Sequence, residues 1–460
     1  MRSLVRLVQQ HGPSVAAAIG LATVGVGLVI DPFLSLFVVA ACLALLILPL
    51  ARNDSVVWFA ACLLMLSATE AALPNVARLA LSASLALVAA LALNELPLRG
   101  PSAIGRTQIL SLFVFAWWIL EMANSNIPDL TFAGLGLRKS VFLFVGLWLG
   151  ILVARRLGSR VVLTFITWLL AGSLVVALIL HNFAPTVEQS ITRNADVATA
   201  TYGGVYRLAG TFSGPFHAAL ASAALVTIAV ADFVHKARAP FQTAVLLVVG
   251  SLALLQTDVR SGFVGLAAAV LYVLVINPER EERRILRTLT AAGGFLLASL
   301  LAFRLSSSVA SLAATSSDVR FQGRFISYDD GLRLLRDRPF FGYGSGSAGD
   351  TLSTGLFGGV HITSHDLILK YAIEGGVIGL VLVCALLVSI WIGLRKAATK
   401  EALVARGLLV LLLVMGVTGS VVEALPVSFW LLVVMGACLV SDERGTKSVL
   451  VPVERRTRST

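Results

Sequence analysis

Charge is what this chain has least of. Only 13% of its 460 residues are Asp, Glu, Lys or Arg, and the mean hydropathy is +0.90. A soluble globular domain carries roughly 25% charged residues, so a water-soluble body is excluded as the main architecture. Cysteine is also scarce. Cys42, Cys62, Cys384 and Cys438 all fall in apolar segments, without the spacing of a metal knuckle or a redox pair. They read as small apolar packing residues and say nothing of the redox compartment. Long alternating polar–apolar segments are missing, which argues against a β-barrel and leaves helices as the spanning element. Heptads, low-complexity tracts and clear internal repeats are absent too. Only six histidines are present, so any two placed together call for a reason.

What the chain does have is apolar runs. Val161–Leu180 and Gly375–Leu394 are each long enough to cross about 30 Å of hydrocarbon as a helix. The pattern predicts about fourteen spans, or twelve to thirteen if the weak third and fourth fail. They run near 14–30, 33–50, 56–72, 78–93, 107–122, 138–154, 161–181, 211–234, 241–256, 261–277, 288–305, 373–394, 402–420 and 426–440. The opening "MRSLVRLVQQ" has the look of a signal peptide, but with so many spans behind it the first apolar run reads as an uncleaved membrane helix.

The net charge is +11 and the pI about 10.0. Most of the excess sits in alternate short connections, such as Arg155, Arg156 and Arg160, or Arg280, Arg283, Arg284 and Arg287, and in the C-terminal tail. That is the positive-inside bias, and it predicts cytoplasmic termini, with Arg138 and Lys139 as the main exception. Nucleic acid is not needed to explain the charge. On this topology two outer connections are long, near 182–210 and 306–372. Loops of that length in a compact protein are usually functional. The expected organisation is N-terminal spans over 1–181, central spans with the first outer loop over 182–305, a large periplasmic loop over 306–372, C-terminal spans over 373–440 and a cytoplasmic tail over 441–460.

Nearly all the unusual chemistry lies in or beside those loops. Arg207 stands in "YRLAGTFSGP", Arg260 in "TDVRSG" and Arg324 in "QGRFISYDD". Arg260 sits in a tight turn between spans, where a local ion pair with Asp258 is the competing reading. The functional reading is convergence on an anionic group at the outer membrane surface. The planar guanidinium bonds two phosphate oxygens at once, and diphosphate-linked lipids are the candidates at that depth. In "GRFISYDDGLRLLRDRP", Phe325, Tyr328, Leu332 and Leu335 fall on one helical face, and Pro339 stops the helix. Such a helix could lie along the outer leaflet. The stretch "PFFGYGSGSAGD" lacks the Gly-Lys-Ser/Thr ending of a P-loop and reads as a flexible or tightly turning loop near a substrate.

His361 and His365 are four apart in "GGVHITSHDLILKYAIEGGVIG". A zinc site is disfavoured: Glu is absent between them and glycines precede them. Thr363 with Asp366 instead suggests a capping box that would start a helix near Ser364, with His365 in its first turn. The positive helix end disfavours imidazolium there and attracts anions. A neutral histidine at that point can take a proton from a hydroxyl. A histidine that merely hydrogen-bonds within the loop is the alternative. His361 has no assigned role.

These stretches together resemble the O-antigen ligase and O-antigen polymerase superfamily. "RLAGTFSGPFHAALA" is similar to the family's Arg-x-x-Gly-x-Phe-x-x-Pro opening of a span. "TDVRSGFVGL" resembles its Thr-x-Ser-Arg-Gly turn, with Val259 in place of Ser and Ser261 before the Gly. "RFISYDDGLRLLRDRPFFGYGSG" followed by "SHDLILKYAIEGGVIGL" resembles the long outer loop, with Asp366 where the family has Asn. The resemblance covers about residues 200–380. It implies an all-α, GT-C-like fold: a polytopic integral membrane protein of about 12–14 transmembrane helices with a long extracytoplasmic loop containing short helices.

The implied function is transfer of a glycan from an undecaprenyl-diphosphate carrier to an acceptor sugar hydroxyl on the periplasmic face of the bacterial inner membrane. No nucleotide sugar, metal or other cofactor is implied. Residue by residue, the resemblance makes Arg207 and Arg260 the diphosphate holders, Arg324 a further diphosphate or glycan contact, and His365 the base. Implied partners are the lipid-linked glycan, an acceptor glycan or lipid A–core, and membrane lipids. Two readings stay open within it: an O-antigen ligase with a lipid A–core acceptor, and an O-antigen or exopolysaccharide polymerase joining two carrier-linked units. A lipid-linked glycan transporter is the reading of a different class. It is disfavoured because ionisable residues gather at the outer face rather than at the midplane. A purely structural membrane scaffold is a fourth.

Overall fold

The computed structural model describes residues 55–94, 103–194, 201–275, 319–349 and 366–440, apart from 74, 203, 204, 236, 398 and 418 within those ranges. The spans expected near 14–30, 33–50 and 288–305 lie outside it, as do His361, His365 and the tail.

The described chain is helical almost throughout. In order it forms α1 (Ser55–Ser67), α2 (Asn75–Asn94), α3 (Ala103–Glu121), α4 (Leu130–Ser140), α5 (Val145–Leu157), α6 (Ser159–Phe183) and α7 (Pro185–Asn194). A hairpin of two-residue strands follows, β1 (Thr201–Tyr202) and β2 (Val205–Tyr206), antiparallel with Thr201 opposite Tyr206. Then come α8 (Pro215–His235), α9 (Pro240–Thr257), α10 (Arg260–Val275), α11 (Val319–Asp337), α12 (Leu367–Lys396), α13 (Lys400–Gly416) and α14 (Val427–Leu439). Eleven expected spans fall on described helices, because apolar length decides spans and terminal signals decide ends. Asp129 caps α4 by accepting from the Phe132 N–H at 2.7 Å, and Thr399 caps α13 by accepting from Ala402 N–H at 3.2 Å. Pro240 opens α9, where its missing N–H costs nothing.

Among the described residues, α6, α8, α9 and α12 are each long and apolar enough to cross a membrane. The pair Leu130–Ser140 and Phe142–Leu157 makes a fifth if it is one span bent by 52°. The span expected at 138–154 is therefore broken, not straight. All of α14 is buried, and so is most of α8, so these two form the centre of the bundle. Small residues let their neighbours approach: Gly146 and Gly150 of α5 meet the α14 backbone at Phe429 and Val433. The outward surface is apolar instead, with Phe113, Leu120, Phe241 and Val264 more than half exposed. An exterior of that kind belongs in lipid.

Arg138, the exception to the charge rule, is not a loop charge. It is buried, paired with Glu70 across to the α1–α2 connection, and its Nε donates to Ser82 Oγ at 2.9 Å.

The longest span has a fault in it. Gly376 has φ +62° and ψ −167°, which breaks α12 into 367–375 and 377–396. The carbonyls of Ile373 and Glu374 lose helical partners there and accept instead from Tyr343 N–H (2.8 Å) and Gly344 N–H (3.0 Å). The Val377 N–H in turn donates to the Pro339 carbonyl at 2.7 Å. Glycine is required at the break, because a Cβ would meet the Phe340 carbonyl. Gly376→Ala should therefore lower the thermal unfolding midpoint in detergent, with about 1–3 kcal/mol lost to backbone strain alone. Gly134→Ala, where the added carbon meets nothing within 4 Å, is the comparison; equal midpoints for the two variants would contradict this account.

Candidate functional site

The described parts of the connections at 68–73, 122–129, 205–214, 257–259, 338–349 and 419–426 are joined by direct contacts at one end of the bundle, and Arg207 lies among them. Arg207 is buried and its Nε donates to the Thr257 carbonyl at 2.9 Å. Leu208 N–H bonds the Gln256 carbonyl at 3.0 Å. The "RLAG" turn is thus bonded along the end of α9, three residues before Arg260, which is exposed at the first position of α10. The sharp passage between α9 and α10 is made by Asp258 in the left-handed region, φ 49°. The structure brings Arg207 to the turn that carries Arg260.

Glu188, which sequence reasoning missed, fixes that turn. It is fully buried on α7. One carboxylate oxygen accepts from the N–H groups of Ala209 (2.8 Å) and Gly210 (2.6 Å), and the other meets His181 Nδ1 at 2.9 Å. Tyr206 stacks on the His181 ring at 5.7 Å. Gly210 has φ +61° and lies against Ala177 of α6, so the turn is pressed onto a span as well as bonded. A glutamate in a polar loop carries no sequence signal of such a role.

The glycine-rich stretch 342–349 is buried and tightly turned. It does not cradle phosphate: the N–H groups of Tyr343, Gly344 and Ser345 go to the carbonyls of Ile373, Glu374 and Glu121. Beneath it lies a second missed cluster. Lys370 of α12 is fully buried, and its Nζ donates to Ala348 O (2.7 Å), Glu374 Oε1 (2.7 Å) and Glu423 Oε1 (2.9 Å). Those are the three donors an ammonium has. Glu374 Oε2 accepts from Ser140 Oγ (2.5 Å) and Trp118 Nε1 (3.2 Å). His217, in the first turn of α8, reaches the Glu423 carbonyl at 3.0 Å through Nε2. The signal for this cluster was legible: Lys370 and Glu374 are four apart in an apolar span.

Arg324 belongs to α11, one turn before Tyr328. Leu332 is 49% exposed, while Tyr328, Gly331 and Leu334 face α12, with Gly331 against Leu369 and Ile373. Tyr328 OH donates to the Val417 carbonyl at 3.2 Å. The start of α12 also differs from expectation. Asp366 is itself the cap and accepts from Ile368 N–H at 2.8 Å, so the helix begins at Leu367 and His365 precedes it. One short carboxylate suffices as a cap, which leaves the Thr363 box without a helix to start. Burial pushes the Asp366 carboxyl above the usual carboxylate range, against the opposing pull of the Ile368 and Leu369 N–H groups. Among the described residues, no group of three or more His, Cys, Asp or Glu is gathered for a metal ion.

These features define a class: a polytopic, all-helical membrane protein with a set of interlocked loops at one end. Residues 245–384 match the family model described as O-antigen ligase. That match supports the O-antigen ligase superfamily and, with it, a general role as a membrane glycan ligase or polymerase acting on a lipid-linked glycan and an acceptor. The match contains Arg260, Arg324 and His365; Arg207 precedes it. No curated protein matches the chain.

Glu188→Ala should free the "RLAG" turn, since two buried N–H groups lose their acceptor at about 1–3 kcal/mol each. The readout is amide hydrogen exchange at Ala209 and Gly210, which should speed up, with Glu188→Gln falling between. Unchanged exchange at both amides would show that Glu188 does not hold the turn.

Proposed function

We propose that the protein moves a glycan from an undecaprenyl-diphosphate carrier to an acceptor sugar hydroxyl at the periplasmic face of the inner membrane, as an O-antigen ligase with lipid A–core as acceptor. The observation that carries this is the bond from Arg207 to the end of α9, which puts one guanidinium beside the turn bearing another. In the proposed reaction Arg207 and Arg260 hold the diphosphate, with Arg324 a further contact. His365, next to the cap of α12, takes the proton from the acceptor hydroxyl. The new bond joins that oxygen to the anomeric carbon, and the bond to the carrier's diphosphate breaks. Diphosphate leaves with its charge already spread, and fixed guanidinium groups stabilise what develops in the transition state. Polymerisation, with a second carrier-linked unit as partner, uses the same donor chemistry.

Transport has one observation in its favour: α12 is broken and the 130–157 pair is bent, and interrupted helices line substrate paths in transporters. Against it, the carbonyls freed at Gly376 are already bonded to the 343–344 backbone, so they line no open path.

The test uses purified full-length protein in detergent with a polyprenyl-diphosphate glycan and candidate acceptors. Transfer should survive EDTA. His365→Ala should lower kcat by about 10²–10⁴ with donor KM little changed, whereas Arg207→Ala and Arg260→Ala should weaken donor binding. Transfer that ignores His365→Ala overturns the assigned base. Movement of carrier across vesicles without any transfer favours the transporter. In a deletion strain, loss of capped lipopolysaccharide indicates a ligase, and loss of long chains with single units retained indicates a polymerase.

A further inference from the structure

Beside the glycine-rich loop, an open cleft of about 360 Å³ is lined by Trp117, Leu120, Glu121, Asn124, Arg338 and Phe341, among others. Its composition is unlike the rest of the apolar exterior. Phe341 is 61% exposed and stacks on Trp117, with centroids 5.7 Å apart and planes 20° from parallel. Trp117 cannot swing away: its Nε1 donates to the Gly375 carbonyl at 3.0 Å, and it packs into the notch left by Gly375 and Gly379. Planar polar groups surround the ring. Asn124 Nδ2 donates to Glu121 Oε2 at 2.9 Å and its Oδ1 accepts from Asn126, so both are held in orientation. The Arg338 guanidinium is steadied over the Tyr343 ring at 5.2 Å.

We propose that this cleft is a sugar-binding subsite that takes a pyranose ring of one of the two glycan substrates. A sugar presents one C–H-rich face and a rim of hydroxyls. The C–H face suits the electron-rich face of Phe341. The rim suits a carboxylate, an amide and a guanidinium set at its edge, because each bonds hydroxyls in its own plane. A detergent-like or lipid chain would have no use for that rim. The subsite rests on the glycan-transfer reading for its purpose, and on the cleft alone for its binding. The loop that forms one wall of it is the loop whose other end, at Ala348, is tied to Lys370 and thence to Glu423 and α8.

The experiment measures binding without transfer. Full-length protein in detergent is titrated with two lipid-free probes: the oligosaccharide released from the donor by mild acid, and the acceptor oligosaccharide. Saturation-transfer NMR reads the sugar protons in contact. One probe should bind, which identifies the source of the ring. Its affinity should fall about three- to tenfold in Phe341→Ala, the loss expected for one aromatic contact. Phe340→Ala is the control, since Phe340 is equally exposed, at 64%, but does not line the cleft. In the transfer assay the matching KM should rise in Phe341→Ala while kcat holds. Binding that depends on Phe341 with no transfer activity would sustain the subsite and defeat the transfer reading. Neither probe binding, or equal losses in the two Phe variants, would overturn the subsite and leave the two rings as membrane-interface anchors.

Discussion

An ammonium buried in a lipid-level bundle must be surrounded by acceptors, and Lys370 imposes that condition on everything near it. Its three donors reach the glycine-rich loop, its own helix and the connection before α14. The carboxylate it shares, Glu374, is in turn bonded from α4 by Ser140 and from α3 by Trp118. Five separate pieces of chain must meet at one point for this cluster to be satisfied. A buried ion cluster adds little net stability over a packed apolar core, but losing one member costs several kcal/mol. Its consequence is positional: slippage of α12 by one residue would leave two carboxylates or an ammonium without partners.

The break at Gly376 is the backbone counterpart of that cluster. A helix that stops hydrogen-bonding inside a membrane protein must find other partners for the freed groups. Here the loop at 339–344 supplies them residue for residue, two N–H groups and one carbonyl. Loop and helix are consequently a single unit. The glycines of "GYGSGSAG" serve a tight, buried path, not a mobile cradle, and the polar atoms of that loop face inward to the protein.

How much of this was legible follows from what each signal physically is. The spans were readable because crossing hydrocarbon takes about 20 apolar residues and nothing else in the chain looks like that. The turn around Arg260 was readable because an arginine in a short outer turn runs against the charge bias, and that around Arg207 because it belongs to a long outer connection. Their mutual bonding was not, since a guanidinium to a carbonyl 50 residues away leaves no local pattern. The face of α11 that packs on α12 was not legible because periodicity counts side chains. The helix packs through Gly331, where the absence of a side chain lets Leu369 and Ile373 approach. The start of α12 was placed three residues early because Thr363 and Asp366 both make good caps, and only geometry decides between them. Lys370, four residues before Glu374 in an apolar span, is the clue that the neighbourhood of both is internal.

The same architecture bears on what such a site needs in order to work. The proposed transfer from a diphosphate carrier asks little covalent chemistry of the protein, because the leaving group is good. It asks for position: effective molarities reach 10⁵–10⁸ M only when the reacting atoms are held in a near-attack arrangement. Under the proposed reaction, the described end of this bundle would meet that requirement. The Arg207 turn is fixed by a buried carboxylate, the glycine-rich loop by a buried ammonium, and the start of α12 by its own aspartate cap. The first two anchors are buried, so each fails abruptly rather than loosening by degrees, whereas the Asp366 cap is only half-buried. Under the proposed reaction, changes at Glu188, Lys370 or Asp366 touch no substrate, and they reach the chemistry only through the loops those residues hold.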